Sequence, residues 1–129
     1  MAVLRTLRIL RLEDLPGVRE AQHFRRQCAD AMTGVPEDTN GAAWRDRVRA
    51  DALHALACAA AAYRKADWRG AWERLAECDR ARSAAMRGLY LLYRGGMVPP
   101  DCFDPAAVAS AQLRLVLPAV ATELRERRG

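Results

Sequence analysis

Apolar residues recur at intervals of three and four along most of the chain, and polar breaks divide it into four helical stretches. Over about residues 16–33, Val18, Ala21, Phe24, Cys28, Ala31 and Met32 fall on one face. Asp14 and Pro16 are start signals there, and Gly34-Val35-Pro36 is the stop. After the polar loop at 36–41, Thr39 or Asn40 is placed to cap a second helix over about residues 42–65. Its stripe is Trp44, Val48, Ala52, Leu56, Ala59 and Tyr63, with Arg45 and Arg49 outside it. A very short link with Asp67 as N-cap leads to a third helix over residues 68–94, about 40 Å long at 1.5 Å per residue. Its stripe reads Trp68, Trp72, Leu75, Ala76, Met86, Leu89, Tyr90 and Tyr93, and Gly95-Gly96 ends it. Pro99-Pro100 reads as loop. Asp104 and Pro105 read as N-cap and first residue of a fourth helix to about residue 125, which Pro118 kinks or locally breaks.

Short links make consecutive helices antiparallel neighbours. The expectation is therefore an all-α protein: an antiparallel up-down-up-down four-helix bundle over residues 13–129, preceded by a short basic arm. That arm, residues 1–12, carries leucines at 4, 7 and 10 and arginines at 5, 8 and 11. Composition agrees with the helical reading. Of 129 residues 51% are hydrophobic and 26 are alanine, the best helix former, whereas β-branched residues are too scarce for a sandwich or barrel. The arginines of the first dozen residues leave no clean signal-peptide core, and no stretch approaches about 18 uncharged apolar residues. A cytoplasmic protein without a membrane partner is expected. Cys28, Cys58, Cys78 and Cys102 form no Cys-x-x-Cys pair, so reduced thiols are expected rather than a disulfide scaffold or zinc ribbon.

Charge narrows the function. Twenty-one basic residues face sixteen acidic ones, for a net +5, and twenty of the basic residues are arginine. Guanidinium groups suit phosphates and carboxylates, so the bias suits an anionic partner, and the arginine codons of a GC-rich genome account for it equally well. Arginines cluster at 45, 47 and 49, at 80, 82 and 87, and at 125, 127 and 128. Acids are interleaved on the second helix (Asp46, Asp51) and on the first half of the third (Glu73, Glu77, Asp79). From Arg80 to Arg94 there are four arginines and no acid. Asp79, near an apolar stripe, calls for a cation, from Arg82, Arg87 or a neighbouring helix, as a structural ion pair. His54 and Cys58 share a face, but two ligands do not make a metal site. Glu20 and His23 have the spacing of a di-iron motif without a partner motif. The chain has no phosphate loop, nucleophile elbow or His-Glu-x-x-His motif, so no enzyme, metal or cofactor is expected.

Leu75 and Asp79 followed by Met86-Arg87, then the Gly95 stop, a proline-bearing loop and the Val108-Ala-Ser-Ala-Gln112 stretch, form a pattern that resembles the accessory variability determinant (Avd) proteins of diversity-generating retroelements. These are related to the four-helix proteins encoded within intervening sequences of 23S ribosomal RNA genes. The resemblance spans roughly residues 18–127. It implies a non-catalytic, basic homo-oligomer, a pentameric barrel, that binds a reverse transcriptase and its template-repeat RNA during mutagenic reverse transcription. It places the family's arginine at Arg87; Arg80, Arg82, Arg94, Arg45 and Arg49 join it as partner-binding candidates on charge alone. Two other readings fit the same residues: a small helical nucleic-acid-binding subunit of an RNA-guided complex, and a protein–protein adaptor bundle.

Overall fold

The computed structural model describes residues 11–37 and 40–128. Among them are four α-helices, one 3-10 turn at Leu12–Asp14 and no strand. The helices are α1 (Val18–Met32), α2 (Gly41–Ala62), α3 (Trp68–Arg94) and α4 (Pro100–Arg128). All but the last two residues of the expected N-terminal arm lie outside the described residues, as does the candidate cap Thr39.

Local chemistry accounts for each boundary. Gly17, at φ +86°, is the residue before α1, and its N–H donates to a Glu20 carboxylate oxygen at 2.7 Å. Asp14 and Pro16 do not cap the helix; the left-handed turn at Gly17 does, because only glycine enters it without strain. α2 begins without the expected Asn40 cap. Asn40 is already helical and its side chain makes no capping bond. Gly41 is buried there, and a Cβ on it would run into Met97. Asp67 accepts from the Gly70 N–H at 2.8 Å and opens α3. At the far end, Gly96 adopts φ +78°, its N–H reaches the Tyr93 carbonyl at 3.1 Å, and the Met97 N–H reaches that of Leu92 at 2.9 Å. Both bonds of a Schellman closure are made.

The expected start of α4 at Asp104-Pro105 is wrong. The Pro99 carbonyl accepts from the Cys102 and Phe103 N–H groups at 3.0 and 2.9 Å, so Pro100 takes the first helical position, where a missing N–H costs nothing. Pro105 and Pro118 both lie inside the helix, and α4 continues through Pro118. Pro118 is exposed, where water can take up the carbonyl its ring leaves free, and Thr122 donates a hydroxyl back to the Pro118 carbonyl at 3.1 Å.

Each helix packs on two neighbours: α2 on α1 and α3, and α4 on α1 and α3. Contacts that rise along α2 fall along α3, from Gly41 beside Leu92, through Val48 beside Gly88, to His54 bonded to Glu77. The same holds between α3 and α4, from Trp68 under Arg125, through Arg82 bonded to Ser110, to Tyr93 stacked on Phe103 at 4.4 Å. The core joins Phe24, Met32, Leu89, Leu113, Leu117 and Val120 with a run of buried alanines. All six residues expected on the inner face of α1 are buried.

On α2 Val48, Ala52 and Ala59 are buried as expected, and on α3 Leu75 and Leu89 are, but other positions of both stripes differ by one residue. Ala55 and Ala62 are buried where Leu56 and Tyr63 were expected, and Ala71 and Leu92 where Trp72 and Tyr93 were. Small side chains let the two backbones approach, and a Cβ added at Gly88 would lie 2.7 Å from a Val48 methyl. The bulkier neighbours are pushed to the edges of that seam. No uncharged apolar stretch of about 18 residues occurs, since Arg114 interrupts α4. By length and composition α4 is still long and apolar enough to cross a membrane over Pro100–Arg127, although a buried stripe of Ala106, Ala109, Leu113, Leu117, Val120 and Leu124 seats it in the bundle.

Candidate nucleic-acid interface

The six candidate arginines separate into two groups. Arg80, Arg87 and Arg94 on α3 and Arg49 on α2 are exposed and have no ion pair among the described residues. The three on α3 are seven residues apart. Seven residues fall about 20° short of two full turns, so the three line one face, with a rise of about 10 Å between neighbours. Tyr90 and Leu91 are exposed between Arg87 and Arg94. Arg87 also borders a shallow groove between α2 and α3 with Trp44, Arg47, Asp51 and Gly88. Arg47 lies over the Trp44 ring, 5.1 Å from its centre. Arg47 was one of a cluster in sequence; what sequence could not show is that it faces Arg87 across the groove.

Arg45 and Arg82 are held largely inside the fold. Arg45 was expected outside the stripe of α2, yet its side chain is only 11% exposed, with its guanidinium 3.0 Å from Asp46 and 3.6 Å from Glu37. It falls in register with Gly41, Val48 and Ala52, the face turned into the bundle. Arg82 donates to Asp79 at 2.9 Å and to the buried Ser110 hydroxyl at 2.9 Å, joining α3 to α4. With its side chain 13% exposed, two of its donors are engaged by groups of the fold itself. Asp79 therefore pairs with Arg82 and not with Arg87.

A second cluster spans α2 and α3. His54 Nε2 lies 3.2 Å from Glu77 Oε1 and 3.5 Å from Cys58 Sγ, and Arg74 donates to Glu77 Oε2 at 3.0 Å. The bond from His54, with Arg74 nearby, holds the Glu77 carboxyl below the usual carboxylate range. Burial pushes the Cys58 thiol up, and the Glu77 carboxylate adds to that. Sequence had paired His54 with Cys58 only; Glu77 arrives from a separate helix, 23 residues away. Burial alone pushes Cys28 and, for the most part, Cys78 up to about 12, so both are uncharged at neutral pH.

No protein-family model, curated protein or solved structure matches the chain. The functional reading therefore rests on the residues themselves.

Proposed function

We propose that the chain is a non-catalytic accessory bundle, with the up-down-up-down course that its short links and inter-helix contacts favour. It binds a nucleic-acid backbone through α3, as partner of a retroelement reverse transcriptase and its template RNA. The observation that carries this is the exposed ladder Arg80, Arg87 and Arg94, without a carboxylate partner among the described residues. Three cations on one helix face track phosphates electrostatically and read no sequence. Tyr90, exposed between two of them, offers a ring on which an unpaired base can stack, which favours RNA with single-stranded segments. The reverse transcriptase and the cytoplasmic setting come from the resemblance of Leu75, Asp79 and Met86-Arg87 to the Avd pattern. So does a homo-oligomer, for which the exposed Val108 and Leu115 of α4 provide apolar surface.

The test is RNA binding as a function of salt, with the intact chain and with Arg80, Arg87 and Arg94 all changed to Glu. Three lost phosphate contacts should flatten the slope of log affinity against log salt by about 2 to 3. Affinity at low salt should drop more than tenfold. Equal binding by both proteins would remove the ladder from the site, and no binding by either would refute the RNA reading. Co-purification with a reverse transcriptase encoded beside the gene then tests the protein partner. Retention of that polymerase without RNA binding would favour the adaptor reading, for which the exposed Trp72 above Leu117 and Pro118 provides a surface.

A further inference from the structure

The cluster between α2 and α3 carries an inference independent of RNA binding. An imidazole nitrogen, a thiol sulfur and a carboxylate oxygen, from His54, Cys58 and Glu77, all lie within 4.8 Å of one another. We propose that these three side chains form a zinc site, with a fourth position open to water or to a ligand from a partner.

Three features of the geometry support it. The first is the donor set: nitrogen, sulfur and oxygen together match a borderline divalent ion such as zinc, whereas calcium and magnesium demand oxygen alone. The second is spacing. Zinc bonds of about 2.0 to 2.3 Å in a tetrahedron place donors about 3.4 to 3.6 Å apart. His54 Nε2 already stands 3.2 Å from Glu77 Oε1 and 3.5 Å from Cys58 Sγ. Cys58 Sγ also stands 3.9 Å from Nδ1, so the sulfur lies beside the ring, and a turn of the exposed imidazole about its side-chain bonds aims Nε2 between the other two donors. The third is support from the surroundings. Arg74 holds the other oxygen of Glu77 at 3.0 Å, which fixes the carboxylate with Oε1 turned to the imidazole. His54 and Cys58 are one helical turn apart on α2, and Glu77 reaches them from α3, so the ion would link the two helices.

Solvent reaches one side of the cluster. Cys58 is buried, Glu77 half-buried and His54 exposed. Three protein ligands with an accessible fourth position differ from the closed four-ligand arrangement of a purely structural zinc. The open position makes the site a place where a partner can complete the coordination. Binding requires the Cys58 thiolate, so uptake releases a proton and strengthens as pH rises.

The experiment uses the full chain, reduced and stripped of metal, titrated with cobalt(II) as a spectroscopic stand-in for zinc. Zinc content is measured in parallel. The expected result is one equivalent per chain, with intense visible bands of tetrahedral cobalt, a near-ultraviolet thiolate-to-cobalt band, and a melting temperature raised by zinc. His54→Ala, an exposed position where folding is not at risk, and Cys58→Ser should each weaken binding by more than about 100-fold, beyond what loss of an outer partner costs. Cys102→Ser should bind as the parent does. Absence of uptake by the parent chain overturns the site. Undiminished uptake by His54→Ala and Cys58→Ser, or loss of uptake in Cys102→Ser, also overturns it, because the ion would then be held elsewhere.

Discussion

The two long seams of this bundle are built from different materials. α1 and α4 carry large buried residues, Phe24, Met32, Leu113, Val120 and Leu124 among them, interspersed with Ala21, Cys28, Ala31, Ala106 and Ala109. Where α2 meets α3, the buried residues are mostly small, with Ala52, Ala55, Ala59 and Ala62 facing Ala71, Ala81, Ala85 and Gly88. The first seam, between α1 and α4, gains stability by removing bulk from water, about 1.5 to 3 kcal/mol for each large side chain. The second gains it by bringing two backbones close, so that many weak contacts form along their length. One seam is therefore vulnerable to deletion and the other to addition. Phe24→Ala should give the largest loss in the molecule, about 3 to 5 kcal/mol, read from denaturant unfolding. Gly88→Leu, which adds atoms, should cost about 1 to 3 kcal/mol because Val48 already occupies the space a side chain needs. A neutral Gly88→Leu would show that the α2–α3 seam is loose and that the contrast does not hold.

The same contrast explains what could be read in advance. On α1 the large residues are the buried ones, so counting apolar positions at three and four finds the inner face. On α2 and α3 the bulkiest residues sit at the edges of the seam. Weighting by size draws the stripe through Trp44, Leu56 and Tyr63 rather than Arg45, Ala55 and Ala62. The ends of α3 were legible because Asp67 and Gly95-Gly96 carry their own signals. The start of α4 was not, since Asp104-Pro105 carries the stronger start signal, an acidic cap before a proline, and only the bonds to the Pro99 carbonyl place the first turn earlier. Of the candidate site, the acid-free run from Arg80 to Arg94 was visible. What was not visible was which arginines turn inward, because that depends on Ser110 from another helix and on Glu37 from a loop.

Arg82 and Arg80 sharpen this point, since they are two residues apart and face opposite environments. Arg82→Ala leaves the buried Ser110 hydroxyl without its donor and Asp79 without its cation, at a cost of about 1 to 3 kcal/mol. Arg80→Ala should stay within about 0.5 kcal/mol, as exposed positions do. Thermal unfolding of the pair checks both, and equal costs would erase the distinction between inward and outward arginines.

At the start of α1 the expected effect is smaller and depends on pH. Burial alone would push the Glu20 carboxyl up, but the Gly17 N–H and Arg19 together hold it below 4.5. A depressed acid contributes stability above its unfolded pKa and loses it as pH falls through the folded one. Glu20→Ala should therefore cost about 1 kcal/mol at neutral pH. That difference from the parent should close as the solution is acidified below about 4.5. A gap that stayed constant down to acid pH would show that Glu20 acts through packing and not through its charge.

Arg87 should have the least effect on stability and the greatest on binding. The chief structural alternative was an ion pair with Asp79, two turns away on the same helix, and that carboxylate is taken by Arg82 at 2.9 Å. Arg87 is exposed, and the charged groups beside it in the groove are Arg47 and Asp51. Arg87→Glu replaces one solvated charge with another, and a glutamate there gains Arg47 as a neighbour. Stability should change by no more than about 0.5 kcal/mol, which thermal unfolding would resolve as a shift of a degree or two. A phosphate backbone lying along Arg80, Arg87 and Arg94 would instead meet an anion at the middle of the ladder, and repulsion there costs several kcal/mol. RNA affinity at low salt should fall at least tenfold, more than for Arg80→Glu or Arg94→Glu, because the central position touches the strand on both sides. Equal losses at all three positions would make the ladder a diffuse charge with no centre. A large drop in stability would place Arg87 among the inward-facing arginines with Arg45 and Arg82.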